Sequence, residues 1–207
     1  MKTLLKVQAA LFGTQGHSTQ LADQFAANWL AANPGGRVIT RDLATDPIPH
    51  LTAERFQSLL AKPEERTPDQ KTVSDFSDEL IDELKNADVI VFAVPMYNFS
   101  VPSTLRTYFD HIARSGVTFR YTAEGPEGLI KGKKTYVFIA RGGFYPEGVD
   151  TQTPYLRQFL GFIGLTDVQF VHAEGLAINE ETRTKSLTGA RNAIARIFEP
   201  ATEAIAA

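Results

Sequence analysis

The 207-residue sequence predicts an α/β fold, a doubly wound parallel sheet of five strands in the order 2-1-3-4-5, as a single domain over 1–207. Three observations carry that reading. Short apolar runs alternate with segments whose apolar residues recur at helical spacing, from one end of the chain to the other. The run "VIVFAV", 89–94, is apolar at every position, as a strand covered on both faces by crossover helices must be. No shift in composition marks a domain boundary, and no internal repeat is visible.

Each element has its own signal. The first strand spans 4–11 and runs into the turn "FGTQGHSTQ". Ser18 is the expected N-cap of a helix whose apolar residues Leu21, Phe25, Trp29 and Leu30 recur at helical spacing, and "NPGG" at 33–36 ends it. "RVITRDL", 37–43, is the second strand, and "TDPIPHL" with its two prolines is a surface connection. A short helix follows over 52–60. Thr67, Pro68 and Asp69 start the next helix, with proline at its first position, and Val73, Phe76, Leu80, Ile81 and Leu84 mark its buried face. The third strand covers 88–94. Pro102 or Ser103 opens a helix carrying Leu105, Tyr108, Phe109 and Ile112, and 116–133 is a long, glycine-punctuated excursion. "KTYVFIA", 134–140, is the fourth strand, 155–163 a helix, "DVQFVHA", 167–173, the fifth strand, and 179 to about 204 a terminal helix.

Composition narrows the function classes. Apolar residues make up 43% and charged residues 22%, an ordinary globular balance. The net charge of −3 gives no electrostatic case for nucleic acid. Cysteine is absent, which excludes disulfides, thiolate metal sites and a cysteine nucleophile and fits a reducing cytoplasm. The N-terminus reads as a strand and not as a signal peptide. No apolar run approaches the roughly 20 residues of a membrane helix, so no membrane partner is expected. The four histidines show no metal-ligand spacing, and no G-x-S-x-G elbow is present.

In a fold of this order, ligands lie beyond the carboxyl ends of the strands, at the switch between the first and third. Three loops leave that edge. "LFGTQGHS" leads into a helix N-terminus, a natural anion site, with Ser18, Thr19 and His17 as added donors; it lacks the Walker and G-x-G-x-x-G patterns and reads equally as a plain capped helix. "PMYNFSVPS" offers Met96, Tyr97 and Phe99 to a flat ring and Asn98 to its hetero-atoms, or plugs the end of the core. "RGGFYPEG" has Gly142 and Gly143 for close backbone approach, or for a simple turn, after an Arg141 that can reach a ligand or an acidic neighbour.

The stretch "PMYNFSVPSTLRTYFDHIARSGVTFRYTAEGPEGLIKGKK", then "RGG", then "PYLRQFLGFIGLTDVQFVHAEG", resembles the FMN-dependent azoreductases, also described as NAD(P)H:quinone oxidoreductases, across essentially the whole chain. The resemblance implies a flavodoxin-like homodimer holding non-covalent FMN near the subunit interface. It assigns Met96, Tyr97, Asn98 and Phe99 to the isoalloxazine and Ala140, Arg141, Gly142 and Gly143 to the second ring-side loop. Gly16, His17 and Ser18, with Ala10 upstream, fall on the phosphate. Tyr121 and Phe162 match the aromatics that cover the flavin from the neighbouring subunit, and with Phe99 form the walls for a flat acceptor. The family usually has serine where this chain has Ala10, Gly16 and Ala140, so the phosphate end is expected to bind with fewer hydroxyls. The implied chemistry is ping-pong: NADH or NADPH delivers a hydride to flavin N5, leaves, and a quinone or aromatic azo compound takes the reducing equivalents. Protons come from solvent, so no catalytic side chain and no metal is named. The alternative is a flavodoxin-type electron carrier without small-molecule turnover, against which stand the mild charge and the long 116–133 excursion.

Overall fold

The computed structural model describes residues 1–199. Seven strands and six helices follow one another as β1 (Thr3–Gln8), α1 (His17–Ala32), β2 (Arg37–Asp42), α2 (Ala53–Leu60), α3 (Pro68–Asn86), β3 (Val89–Pro95), α4 (Ser103–Ile112), β4 (Phe119–Thr122), β5 (Gly125–Gly128), β6 (Lys134–Ala140), α5 (Gln152–Ile163), β7 (Asp167–Ala173) and α6 (Glu180–Arg196). Five strands form a parallel sheet in the order β2-β1-β3-β6-β7, which is the expected 2-1-3-4-5 once the separate β4–β5 hairpin is set aside.

Alternation along the strands builds two cores. Ile90, Phe92 and Val94 face one side and pack with Leu80, Leu84, Leu105, Phe109, Leu156 and Leu160 of α3, α4 and α5. Val91 and Ala93 face the other side, against Leu21, Phe25 and Trp29 of α1 and Ile194 of α6. Register is therefore fixed: Val7, Phe92, Val137 and Phe170 stand in one row across β1, β3, β6 and β7, and a slip by one residue would turn every such side chain to the wrong layer. Helix starts behave as their residues require. Thr67 and Gln70 form a reciprocal capping box with Pro68 at the first position of α3, and Thr52 and Asn179 cap α2 and α6 through their side chains.

Several expectations need correction. The first strand ends at Gln8, not at residue 11, because the backbone leaves the ladder at the loop of the sheet edge. Ser18 is not an N-cap: α1 begins at His17 after Gly16, and Ser18 lies fully buried in its first turn. The helix expected over 155–163 starts three residues earlier, at Gln152, because Asp150 accepts the free N–H groups of Gln152 and Thr153. The long 116–133 excursion contains the β4–β5 hairpin. The terminal helix ends at Arg196, and the part of that expectation beyond 199 lies outside the described residues. Among the described residues no helix is long and apolar enough to cross a membrane.

Candidate functional site

All the loops at the carboxyl edge near the β1/β3 switch meet in one cleft of about 360 Å³. Ala10, Gly16 and His17 from the β1–α1 loop, Met96 and Tyr97 after β3, and Ala140, Arg141 and Gly142 after β6 line it, so eight of the residues singled out in the sequence share one surface. The loops brace each other. The Tyr97 hydroxyl accepts from the Leu11 N–H at 3.3 Å, and the Met96 N–H donates to the Ala140 carbonyl at 2.9 Å.

The end of the cleft expected to hold a phosphate passes a physical test. Ser18 and Thr19 are fully buried in the first turn of α1, and their hydroxyls, like the buried Nδ1 of His17, have no hydrogen-bond partner among the described residues. A buried polar group left unpaired costs about 1–3 kcal/mol. Three such groups beside the free N–H groups of a 16-residue helix fit an anion bearing several acceptor oxygens. Of the three residues His17 lines the cleft; Ser18 and Thr19 lie behind its surface.

The end expected to hold a flat ring is a tight reverse turn. Tyr97 and Ser100 exchange both backbone hydrogen bonds, at 3.1 and 3.0 Å. The two residues between them, Asn98 and Phe99, have φ of 49° and 63°. That pair of positive angles belongs to a type I′ turn, natural for asparagine and costly for a bulky phenylalanine. Both side chains are exposed, Phe99 at 65%, at the rim of the cleft and not in its wall.

Arg141 resolves the choice left open by the sequence. Its guanidinium is buried and fully engaged, with Asp150 at 2.8 and 2.9 Å, Glu174 at 3.0 Å, Thr153 at 2.7 Å and Gln152 at 3.2 Å. It thus offers the cleft backbone, not charge. Burial pushes the Asp150 carboxyl up, but its bonds from Thr153, Arg141 and Gln152 outweigh this and hold it below the usual range. Gly143 sits next to the cleft but does not line it.

Tyr121 and Phe162 are not brought into this cleft within the chain. Tyr121 stands on the hairpin with 73% exposure. Phe162 lines a separate apolar groove of about 480 Å³ with Tyr155, Phe159 and Pro126, and no residue lines both. Sequence reasoning missed Phe12, Gln15, Leu176, Ala177 and Arg183, which complete the cleft. Leu176 and Ala177 had a signal in the fold rule itself: the loop after the last strand leaves the same edge. Its backbone joins the preceding loop through Leu176 N–H to Arg141 carbonyl at 3.1 Å and Ala177 N–H to Gly142 carbonyl at 3.0 Å. Among the described residues no cluster of histidine, aspartate and glutamate could hold a metal ion.

Comparison with known proteins agrees with this geometry. The sequence pattern of a family described as having the flavodoxin-like fold matches residues 1–198. An FMN-dependent NADH:quinone oxidoreductase of Burkholderia pseudomallei is 51% identical over 198 residues, covering 95% of this chain and all of the relative. Its counterpart in Cellvibrio japonicus is 50% identical over 182 residues, 87% of this chain and 92% of the relative. An azoreductase of Bacillus anthracis superposes with a TM-score of 0.87 at 29% identity, over 96% of this chain and 99% of the other. A Bacillus anthracis FMN-dependent NADH-azoreductase in complex with FMN superposes with a TM-score of 0.84 at 25% identity, over 96% and 100%. By sequence pattern, identity and fold together, this chain belongs to the flavodoxin-like family that includes the FMN-dependent NADH:quinone oxidoreductases.

Proposed function

We propose that this protein is an FMN-dependent oxidoreductase that passes reducing equivalents from NADH or NADPH to quinones and aromatic azo compounds by a ping-pong mechanism, as a cytoplasmic homodimer. The observation that carries the reading is the cleft with two chemically different ends: orphaned hydroxyls and a helix N-terminus at one, a strained aromatic turn at the other. Bound non-covalently, FMN would supply the hydride-accepting and electron-passing chemistry that no side chain here provides.

The chain's own residues bind and orient. His17, the Gly16 backbone and the first-turn N–H groups of α1 would receive the phosphate, with the buried Ser18 and Thr19 hydroxyls behind them. Ala10 and Ala140 line the path without donors of their own, so the 97–100 turn and the Arg141–Gly143 backbone carry most of the orientation. Met96 and Tyr97 would give the ring an apolar wall, and the Asn98 amide at the rim would serve its hetero-atoms. Phe99, with Tyr121 and Phe162 from the partner subunit, excludes water from the open face and leaves a flat slot that reductant and acceptor occupy in turn.

The test is direct. Purified protein should be yellow and should bleach on adding NADH. Steady NADH consumption should follow when a quinone is supplied without any partner protein. A bleachable flavin with no turnover unless a protein partner is present would favour an electron carrier instead.

A further inference from the structure

We propose that Gln152 is a positioning residue for the flavin ring: its side-chain amide anchors the strained 97–100 turn and ties it to the loop that begins at Arg141. The proposal rests on the reading above that FMN occupies the cleft.

Gln152 opens α5 and is completely buried. Its Nε2 donates to the Pro95 carbonyl at 3.0 Å and to the Ser100 carbonyl at 3.4 Å, one on either side of the turn. Its Oε1 accepts from Arg141 Nε at 3.2 Å. Chemistry fixes the amide's orientation, since a guanidinium only donates and a carbonyl only accepts. The neighbouring Thr151 hydroxyl donates to the Phe99 carbonyl, so two consecutive residues hold the turn at its tip and at its base. Arg141 in turn is clamped by Asp150, which also caps α5. One buried network therefore runs from the strained turn to the glycine loop on the other side of the cleft.

The turn needs such an anchor. Phe99 at φ 63° would relax toward an ordinary backbone if nothing opposed it. Its ring is 65% exposed and meets Tyr145 edge-on, at 6.1 Å between centroids, so packing does little to hold it. The hydrogen bonds to Pro95, Phe99 and Ser100 supply the restraint.

Two variants separate positioning from mere packing. Gln152→Glu keeps the volume and the acceptor for Arg141, but removes both donors and sets a carboxylate against two carbonyls. Thr151→Val removes one hydroxyl at an exposed position. Apo-protein is titrated with FMN and with riboflavin by flavin fluorescence quenching, and the visible circular dichroism of the bound flavin is recorded. Loss of a restraint at the ring end should weaken FMN and riboflavin alike, by about 10-fold, and change the dichroism. Affinities and dichroism equal to wild type in a folded Gln152→Glu, whatever its melting temperature, would overturn the proposal. If Gln152→Glu does not fold, Thr151→Val decides by the same two readouts. A wild-type protein that binds neither flavin overturns the functional reading and this proposal with it.

Discussion

At Gly16 the backbone φ is −67°, an angle any residue adopts. What forbids a side chain there is space: an added Cβ would lie 2.4 Å from the Ala10 Cβ. Positions 10 and 16 are thus coupled here, and only one can take a larger residue. Ala10→Ser points a hydroxyl into the room Gly16 leaves open and should tighten FMN by up to about 1.5–3 kcal/mol, the worth of a bond to a charged group, with riboflavin unchanged. Gly16→Ser should instead lower the melting temperature. Fluorescence titration and thermal unfolding of the two variants check both. A second residue-level expectation concerns acid. His111 is buried, its Nε2 held 3.0 Å from the Pro49 carbonyl and its Nδ1 without any partner. Burial lowers its pKa below the ordinary value, and burial does the same to His172, beside Thr153. A folded pKa below the unfolded one means that the unfolded chain takes up the proton first. This contribution is therefore complete above a pH of about 6.5, the unfolded histidine value, and is lost as the pH falls through the folded values. The melting temperature should drop from pH 7 toward pH 5, and less steeply in His111→Gln, whose amide can still donate to Pro49.

At the scale of elements, the β4–β5 hairpin is the piece with most to say about assembly. It docks backbone to backbone on the end of α5: a Cβ on Gly128 would lie 2.1 Å from the Gly164 nitrogen, and the Ile130 N–H bonds the Ile163 carbonyl at 2.9 Å. Gly128→Ala should therefore cost on the order of 1–3 kcal/mol as an overpacking change, and should displace Tyr121 with the hairpin. Thermal unfolding measures the first and acceptor KM the second. This hairpin also marks where the sequence stops being readable. The five sheet strands and the helices that bury them announce themselves by apolar period, because burial on a layer dictates it residue by residue. "FRYT" and "GPEG" carry no such period, since only Phe119 of the first is buried and the second owes its path to glycine contacts. Gln152 hid for the same reason: a polar residue at a helix start has no pattern, only partners. Met96 to Phe99, by contrast, stood out because aromatics at the mouth of a central strand conflict with local economy. The strain beneath Phe99 was invisible, as φ is not written in composition.

For the whole molecule, we propose one cooperative unit that works in pairs. A single unfolding transition, superimposable by circular dichroism and by fluorescence of the one tryptophan, Trp29, is expected, because both layers share the same five-stranded sheet. Light scattering should give twice the chain mass. The apolar groove of Phe162 and the exposed Tyr121 support this, being surfaces with no cleft to serve within their own subunit. Tyr121→Ser should leave stability within about 0.5 kcal/mol, as an exposed substitution, and yet raise the acceptor KM. The order in which the chain is made adds a last consequence. The wall carried by Leu176, Ala177 and Arg183 follows β7, the final strand of the sheet. A nascent chain still attached to the ribosome can shape the β1–α1 loop early, but it has no closed cradle until Arg183 has been synthesised, so loading with cofactor should follow the last strand of the sheet and not the first.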